Sequence, residues 1–117
     1  MIIQKVSAMI LQYKYEEGIA DAQNYFSTRN AVLVEVETDN GLKGIGEAAC
    51  FGGPPQTTKF VVENEIAPII VGEDATNIEH VWKKMFDRTR QHGRGGIVMS
   101  AMSGVDIALW DILGKYA

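Results

Sequence analysis

The sequence predicts an α+β domain in which a three-stranded antiparallel sheet is followed by three helices. Apolar residues alternate with polar ones in the first half, whereas in the second half they recur every three or four residues. Because all the strand-like segments come before the helical ones, the plan is α+β, not an alternation of strands and helices. A chain of 117 residues has room for one domain.

The first half contains three candidate strands, expected near residues 2–15, 28–39 and 42–50. The first is rich in β-branched and aromatic residues, but its alternation is imperfect, so we expect a bulge or a strand covered on both faces. In the second, Val32, Val34 and Val36 point to one side. The residues that follow, from Asp39 to Gly41, are typical of a tight hairpin turn.

The third strand contains Gly44 and Gly46 at alternate positions. Glycine is unfavourable inside a strand unless another part of the chain must come close to it. We therefore expect an element to pack closely on this strand.

The helices are expected to begin near residues 56, 77 and 97. Pro54 and Pro55 suit the first turn of the first helix. That helix should lie within residues 57–70, with its end near Pro68. Thr76 and Glu79 have the spacing of a capping box for the second helix. That helix carries an apolar stripe that we expect to pack on the sheet: Ile78, Val81, Trp82, Met85 and Phe86.

The third helix is apolar on most of its surface. One face carries Val98, Met102, Val105, Leu109 and Leu113, a second face carries only Ser100, Gly104 and Ala108, and Ile107, Trp110 and Ile112 cover much of the rest. A helix that is apolar on most sides needs cover on most sides. We expect an outer apolar patch on this helix that is covered by a neighbour outside this chain. Its residues are Val98, Met102, Leu109, Trp110 and Leu113.

Composition excludes several classes of protein. The net charge of −4 and the scattered basic residues argue against a nucleic-acid surface. The N-terminal segment has early polar residues and no cleavage signature, so it predicts neither a signal peptide nor a membrane span. The single cysteine, Cys50, excludes an internal disulfide framework and suggests a reducing compartment such as the cytoplasm. We interpret it as a small half-buried side chain, since no histidine lies near it in sequence to form a nucleophilic dyad.

Two acids invite both a functional and a structural interpretation. Glu47 could be a buried catalytic acid, but an anchor to a neighbouring backbone or domain is favoured. Asp106 lies in an apolar helix, where a carboxylate must be hydrogen-bonded or paired, and a contact across an interface is favoured over a metal ligand. Asp111 and Lys115 should form an ordinary i,i+4 ion pair.

The histidines carry little chemical signal. His80 and His92 are isolated, so a metal site is not expected. The glycines at 93, 95 and 96 could form a small anion-binding nest of backbone amides, but a turn between helices is the favoured interpretation.

Three collinear segments resemble one family. They are "VEVETDNGLKGIGEA", "IAPIIVGEDATNIEHVWKKM" and "MSAMSGVDIALWDILGK". Together they resemble the N-terminal capping domain of the mandelate racemase/muconate lactonizing branch of the enolase superfamily, over Ile3 to Ala117. Among subgroups, the last segment looks most like the acid-sugar dehydratases.

The resemblance implies that the chemistry lies elsewhere. In relatives a barrel domain follows and supplies a Lys or His base and three carboxylates that hold Mg²⁺, for removing the proton next to a carboxylate. Residues 1–117 would then be a capping domain without its barrel: no catalytic residue, no bound metal, and no activity alone. The parent would be a Mg²⁺-dependent sugar-acid dehydratase, or else a racemase or cycloisomerase, and a homo-oligomer. The alternative is a free-standing α+β binding or assembly module.

By position, two loops of the family close over the barrel mouth and select the substrate. Here they are residues 16–27 and 50–56. The expected contacts to a small carboxylate or sugar-acid substrate are Gln23, Asn24, Tyr25, Phe26, Phe51, Gly52 and Gly53.

Overall fold

The sheet is the predicted antiparallel meander. A computed structural model describes residues 1–20, 25–50 and 53–117, without the side chains of 17–20 and 25–27. Its strands are β1 (Ile3–Ala20), β2 (Tyr25–Thr38) and β3 (Lys43–Ala48), in the order β1-β2-β3. The β2–β3 turn ends at Gly41, whose φ of 84° is a conformation that glycine adopts without strain.

The first two strands are longer than predicted. The sequence placed a loop over residues 16–27, but pairing continues to Ile19 opposite Phe26 and Ala20 opposite Tyr25. That expectation was wrong for the described part of the segment, because backbone hydrogen bonds between two strands do not require the apolar alternation used to find them. The expected bulge is confirmed, with register shifts between Ile3 and Lys5 and between Lys14 and Ile19.

Three helical bodies follow the sheet, as predicted. The first consists of α1 (Pro55–Phe60), a π-helical turn (Val61–Ile66) and α2 (Ala67–Ile70) in direct succession. The other two are α3 (Ile78–Arg88) and α4 (Gly96–Tyr116). Their first residues, 55, 78 and 96, are each one residue from the predicted starts.

The π-helical turn has a local cause. The Ala67 N–H donates to the carbonyl of Val62, five residues back. Directly afterwards comes Pro68, which has no N–H and whose ring would press on the carbonyl of Asn64 in a regular α-helix. The wider turn relieves this clash and lets the helix continue to Ile70.

The capping box predicted for the second helix is wrong. Asn77 is the N-cap residue of α3 and makes no side-chain capping bond. The Thr76 hydroxyl and N–H instead both donate to Asp74 Oδ1, at 2.8 and 2.9 Å. A threonine that hydrogen-bonds within a turn cannot also cap the following helix, and here the Thr76 side chain bonds within the turn.

The first helical body and α4 cover one face of the sheet, and α3 packs mainly on α2 and α4. The stripe on α3 is buried in the core, with Ile78, Val81 and Met85 buried and Trp82 and Phe86 partly buried. The expectation that this stripe packs on the sheet was wrong, because the other helices lie between α3 and the strands. From the sheet the core receives Val32, Val34 and Val36.

Helix α4 and strand β3 lie very close together. A Cβ atom added to Gly46 would lie 2.0 Å from the carbonyl oxygen of Gly104, and one added to Gly44 would lie 2.0 Å from that of Ala108. No real Cβ atom occupies such a position. This confirms the prediction that an element packs closely on the third strand.

Two side chains of α4 also close the free edge of β3. Asp111 Oδ2 accepts the Ile45 N–H at 2.9 Å, and Lys115 Nζ donates to the Lys43 carbonyl at 2.7 Å. The predicted ion pair is confirmed, with 3.1 Å between Lys115 Nζ and Asp111 Oδ2. The N–H of Ile45, with the Lys115 ammonium, lowers the pKa of Asp111. An edge strand capped in this way offers fewer groups to another chain.

The orientation of α4 corrects the predicted outer patch. Val98, Met102 and Leu109 are buried in the core and Leu113 is partly buried, so only Trp110 of the five is exposed, by 55%. Its exposed apolar neighbour is Ile107, at 50%, which the sequence did not place in the patch. The helix is held through Gly104 and Ala108, and that contact fixes its rotation.

Within the described residues, one helix is long and apolar enough to cross a membrane, and it is α4. One side of this helix belongs to the core, because Val105, Leu109 and Ile112 have no exposed surface.

We expect Gly46→Ala to destabilise the 117-residue chain by about 1–3 kcal/mol or more, because the new methyl group meets backbone that cannot move without shifting α4. Gly114 is the control: it lies on α4, the helix that Gly46 contacts, and nothing lies within 4 Å of an added Cβ. Gly114→Ala should stabilise the chain by about 0.5–1 kcal/mol. Urea unfolding of both variants measures the difference. A neutral Gly46→Ala would contradict the close packing.

Candidate functional site

Both segments predicted to contact substrate lie at one end of the sheet. β3 ends at Ala48, opposite Val32, whereas β1 and β2 continue past this point as a two-stranded ribbon of residues 11–20 and 25–31. The connection from β3 to α1 starts at the same place. The fold therefore brings the last described residues of the ribbon and residues 53–56 to the same end of the domain.

The ribbon contains a large bulge near the end of its described residues. From Lys14 to Ile19 β1 advances five residues, while β2 advances two, from Thr28 to Phe26. The three extra residues of β1 are unpaired in the ladder. Bulges of this kind bend a strand and increase its local twist.

The predicted contact residues have different outcomes. Tyr25 and Phe26 belong to β2, at the last paired positions of the ribbon, and not to a loop. Gly53 lies in a bend with open space around it. Gln23, Asn24, Phe51 and Gly52 lie outside the described residues. Contact with a substrate stays a prediction for all seven.

The two sides of the ribbon differ in polarity. On the face away from the helices, Met9, Leu11 and Tyr13 are exposed, and the Tyr13 and Tyr15 rings meet edge to face with centroids 5.5 Å apart. On the opposite side, Gln12 Nε2 donates to Asn30 Oδ1 at 2.8 Å. This apolar strip was not predicted from the sequence, because Ile10 lies between Met9 and Leu11 and breaks the alternation that would mark it.

The two acids considered as candidates differ in their surroundings. Glu47 is exposed on the open face of the sheet, opposite Leu33, so the buried-acid interpretation is wrong. Asp106 is half-buried on α4. Partial burial raises its pKa, and a hydrogen bond with Trp110 acts in the opposite direction. Across the described ranges no Lys, Arg or His nitrogen pairs with this carboxylate.

The histidines pair with single acids. His80 Nε2 lies 3.2 Å from Glu73 Oε2, and His92 contacts Glu65. Cys50 is half-buried, as expected, with its Sγ 3.8 Å from the Gly53 carbonyl oxygen. None of these arrangements places a nucleophile beside a base.

The chain does not fit a magnesium site in its described part. No group of three His, Cys, Asp or Glu residues among residues 1–20, 25–50 and 53–117 could hold a metal ion. Mg²⁺ is bound by several carboxylate and carbonyl oxygens.

A shallow groove of about 400 Å³ lies along α3, and its charged lining is largely self-paired. Lys84 Nζ lies 2.7 Å from Glu73 Oε1, and Lys83 pairs with Asp87. Charges that neutralise one another in this way are typical of a solvated helix face.

The sequence model of the "Mandelate racemase / muconate lactonizing enzyme, N-terminal domain" family matches residues 5–117. The chain belongs to this family. The resemblance of its three collinear segments and the predicted α+β fold are thereby confirmed.

Relatives within the family carry different names. The arabinonate dehydratase of Saccharolobus solfataricus is 36% identical to this chain, over 86% of this chain and 29% of its own length. The D-galactarolactone cycloisomerase of Agrobacterium fabrum is 34% identical over 99% of this chain and 30% of its own length. A racemase from Streptomyces coelicolor, solved with bound magnesium, superposes with a TM-score of 0.88 at 28% identity, covering 97% of this chain and 32% of that chain. The chain thus spans about 30% of the length of the curated relatives it matches.

We expect Asp106→Asn to leave the stability of the 117-residue chain unchanged or slightly higher at pH 7. A carboxylate whose folded pKa is raised opposes folding above that pKa and has no such effect below its unfolded pKa, near 4. The variant's advantage should therefore shrink as pH falls from 7 to 4. Thermal unfolding across this range tests the sign, and a wild-type chain that gains on the variant as pH rises would contradict it.

Proposed function

We propose that this chain is the capping domain of a Mg²⁺-dependent enzyme that removes the proton next to a carboxylate. The observation that carries the proposal is the match of residues 5–117 to the N-terminal domain of the family, in a chain that spans about 30% of its curated relatives. Support also comes from the described residues, which offer neither a metal cluster nor a nucleophile beside a base. A second domain would supply the catalytic groups, and a longer protein of this kind is called the two-domain protein below.

The proposed substrate class is a sugar acid. One relative is named an arabinonate dehydratase and another a D-galactarolactone cycloisomerase. A polyol carboxylate is common to such names, and dehydration is the reaction that we favour, with racemisation or cycloisomerisation second.

In this proposal the ribbon tip and residues 50–56 cover the mouth of the second domain. Lids of this kind exclude water and contact the part of the substrate away from the reacting carbon. Gln23, Asn24, Tyr25 and Phe26 would give hydrogen bonds and an apolar wall, and Phe51 to Gly53 would line the other side. The bend at the bulge after Lys14 would aim the tip.

The metal, the assembly and the compartment follow from the same proposal. Magnesium would be held by the second domain, where it would stabilise negative charge on the substrate carboxylate. We also propose a homo-oligomer in the cytoplasm, since the single Cys50 suits a reducing compartment.

A first test compares the two proteins directly. We expect the two-domain protein to dehydrate a sugar acid with Mg²⁺ and the purified 117-residue chain to show no turnover above buffer, because the base and metal ligands lie outside it. Screening a panel of sugar acids for 2-keto products measures this. Turnover by the 117-residue chain, free of longer contaminants, would refute the proposal.

A second test concerns the ribbon tip. In the two-domain protein, Tyr25→Ala and Phe26→Ala should each lower kcat/KM about 10-fold or more, and mainly through KM, since they remove contacts made before proton transfer. Tyr13→Ala is the control, an exposed aromatic on the same ribbon but outside the predicted contacts. Equal effects of all three substitutions would show that the ribbon acts only as a scaffold.

A further inference from the structure

The outer side of α4 carries a regular seam. Its members are exposed or half-exposed and are spaced four, three, four, three and four residues apart: Gly96, Ser100, Ser103, Ile107, Trp110 and Gly114. We call this set the α4 seam. A repeat of 3.5 residues is the spacing with which one helix presents a continuous line of side chains to another.

The sizes of the seam residues fit a neighbouring helix. Gly96, Ser100 and Ser103 have small or no side chains and leave a depression at one end of the seam, and Gly114 leaves one at the other end. Between them Ile107 and Trp110, each about half exposed, form two large projections. Small residues let a second backbone come close, and large ones fill the gaps between its side chains.

Asp106 adds a polar requirement beside the seam. It is half-buried, its carboxylate is next to Trp110 on the following turn, and no cation pairs with it in the part of the chain that the structure describes. Further burial of this group by a neighbour would be costly unless the neighbour donated a hydrogen bond to it.

The relatives suggest the neighbour. The matched family segment is an N-terminal domain, and about 70% of each curated relative lies outside the match. In a family whose matched segment is N-terminal, further residues follow the helix that corresponds to α4. An adjacent second domain is therefore the first candidate to cover the seam.

We propose that the α4 seam docks a helix of the second domain, and that an Arg or Lys of that helix pairs with Asp106. This inference rests on the proposed capping role only in requiring a second domain, and its tests use no substrate. An active two-domain protein in which the seam is not covered would therefore overturn this inference and leave the proposed function standing.

Tryptophan fluorescence tests the burial of the seam. In a Trp82→Phe background, Trp110 is the only tryptophan of this domain, and any tryptophans of the second domain are replaced by Phe. Acrylamide should quench Trp110 several-fold less in the two-domain protein than in the dilute 117-residue chain. Equal quenching would overturn the proposal. The proposal would also be overturned if quenching of Trp110 fell by the same amount in the 117-residue chain at high concentration. In that case a second copy of the chain would cover the seam.

Cross-linking tests whether the partner is a helix. Cysteines replace Ser103 and Gly114 in a Cys50→Ala background, and each carries a short photoactivated cross-linker. The two sites are 11 residues apart, roughly 16 Å along α4. On a helix their cross-links should fall about 11 residues apart, whereas on a strand they would fall about five apart. The second result, or cross-links scattered over several elements, would overturn the helical partner.

Asp106→Asn tests the polar contact. In the two-domain protein it should speed proteolytic cleavage between the domains at least several-fold, although the same change leaves the 117-residue chain as stable as before. Asp87→Asn is the matched control, since Asp87 is an acid at the surface that pairs on its own helix with Lys83.

The same cleavage assay tests the large side chain of Trp110. Trp110→Ala is compared with Phe60→Ala, because Phe60 is an exposed aromatic residue on α1. Cleavage rates that do not distinguish each variant from its control would overturn the contact.

Discussion

The structure depends on the contact between α4 and β3, where two glycines of the strand meet the backbone of the helix. Because Gly44 and Gly46 have no side chain, the carbonyl groups of Gly104 and Ala108 come close to the strand. This contact sets the rotation of α4. The same rotation fills the core with Leu109 and its neighbours, brings Asp111 and Lys115 to the edge of β3, and turns the seam outward.

Much of the fold could be predicted from the sequence, because local patterns carried it. Alternate glycines on β3 predicted a close neighbour, and the i,i+4 spacing of Asp111 and Lys115 predicted their ion pair. The change from a period of two to one of 3.6 gave the starts of all three helical bodies to within one residue. These features depend on neighbours in sequence, and so the sequence shows them.

The features that were missed depend on contacts between distant residues. An all-round apolar helix does not reveal which side faces the sheet, so Met102 and Leu109 were assigned to an outer patch that they do not form. The length of the ribbon depends on backbone pairing of Ile19 with Phe26, which leaves no apolar signature. For the candidate site, the family resemblance indicated two segments by their position along the chain, but substrate contacts made together with another domain cannot be derived from this chain.

The π-helical turn before Pro68 ties the length of this helix to two contacts at once. In a regular α-helix the proline ring would press on the carbonyl of Asn64, and the wider turn avoids this. The same turn contains Glu63, which accepts the Ala8 N–H at 3.1 Å. Shortening Val61–Ile66 by one residue would therefore bring the proline clash back and move the carboxylate that holds β1, so the number of residues in this turn is set by its neighbours on both sides.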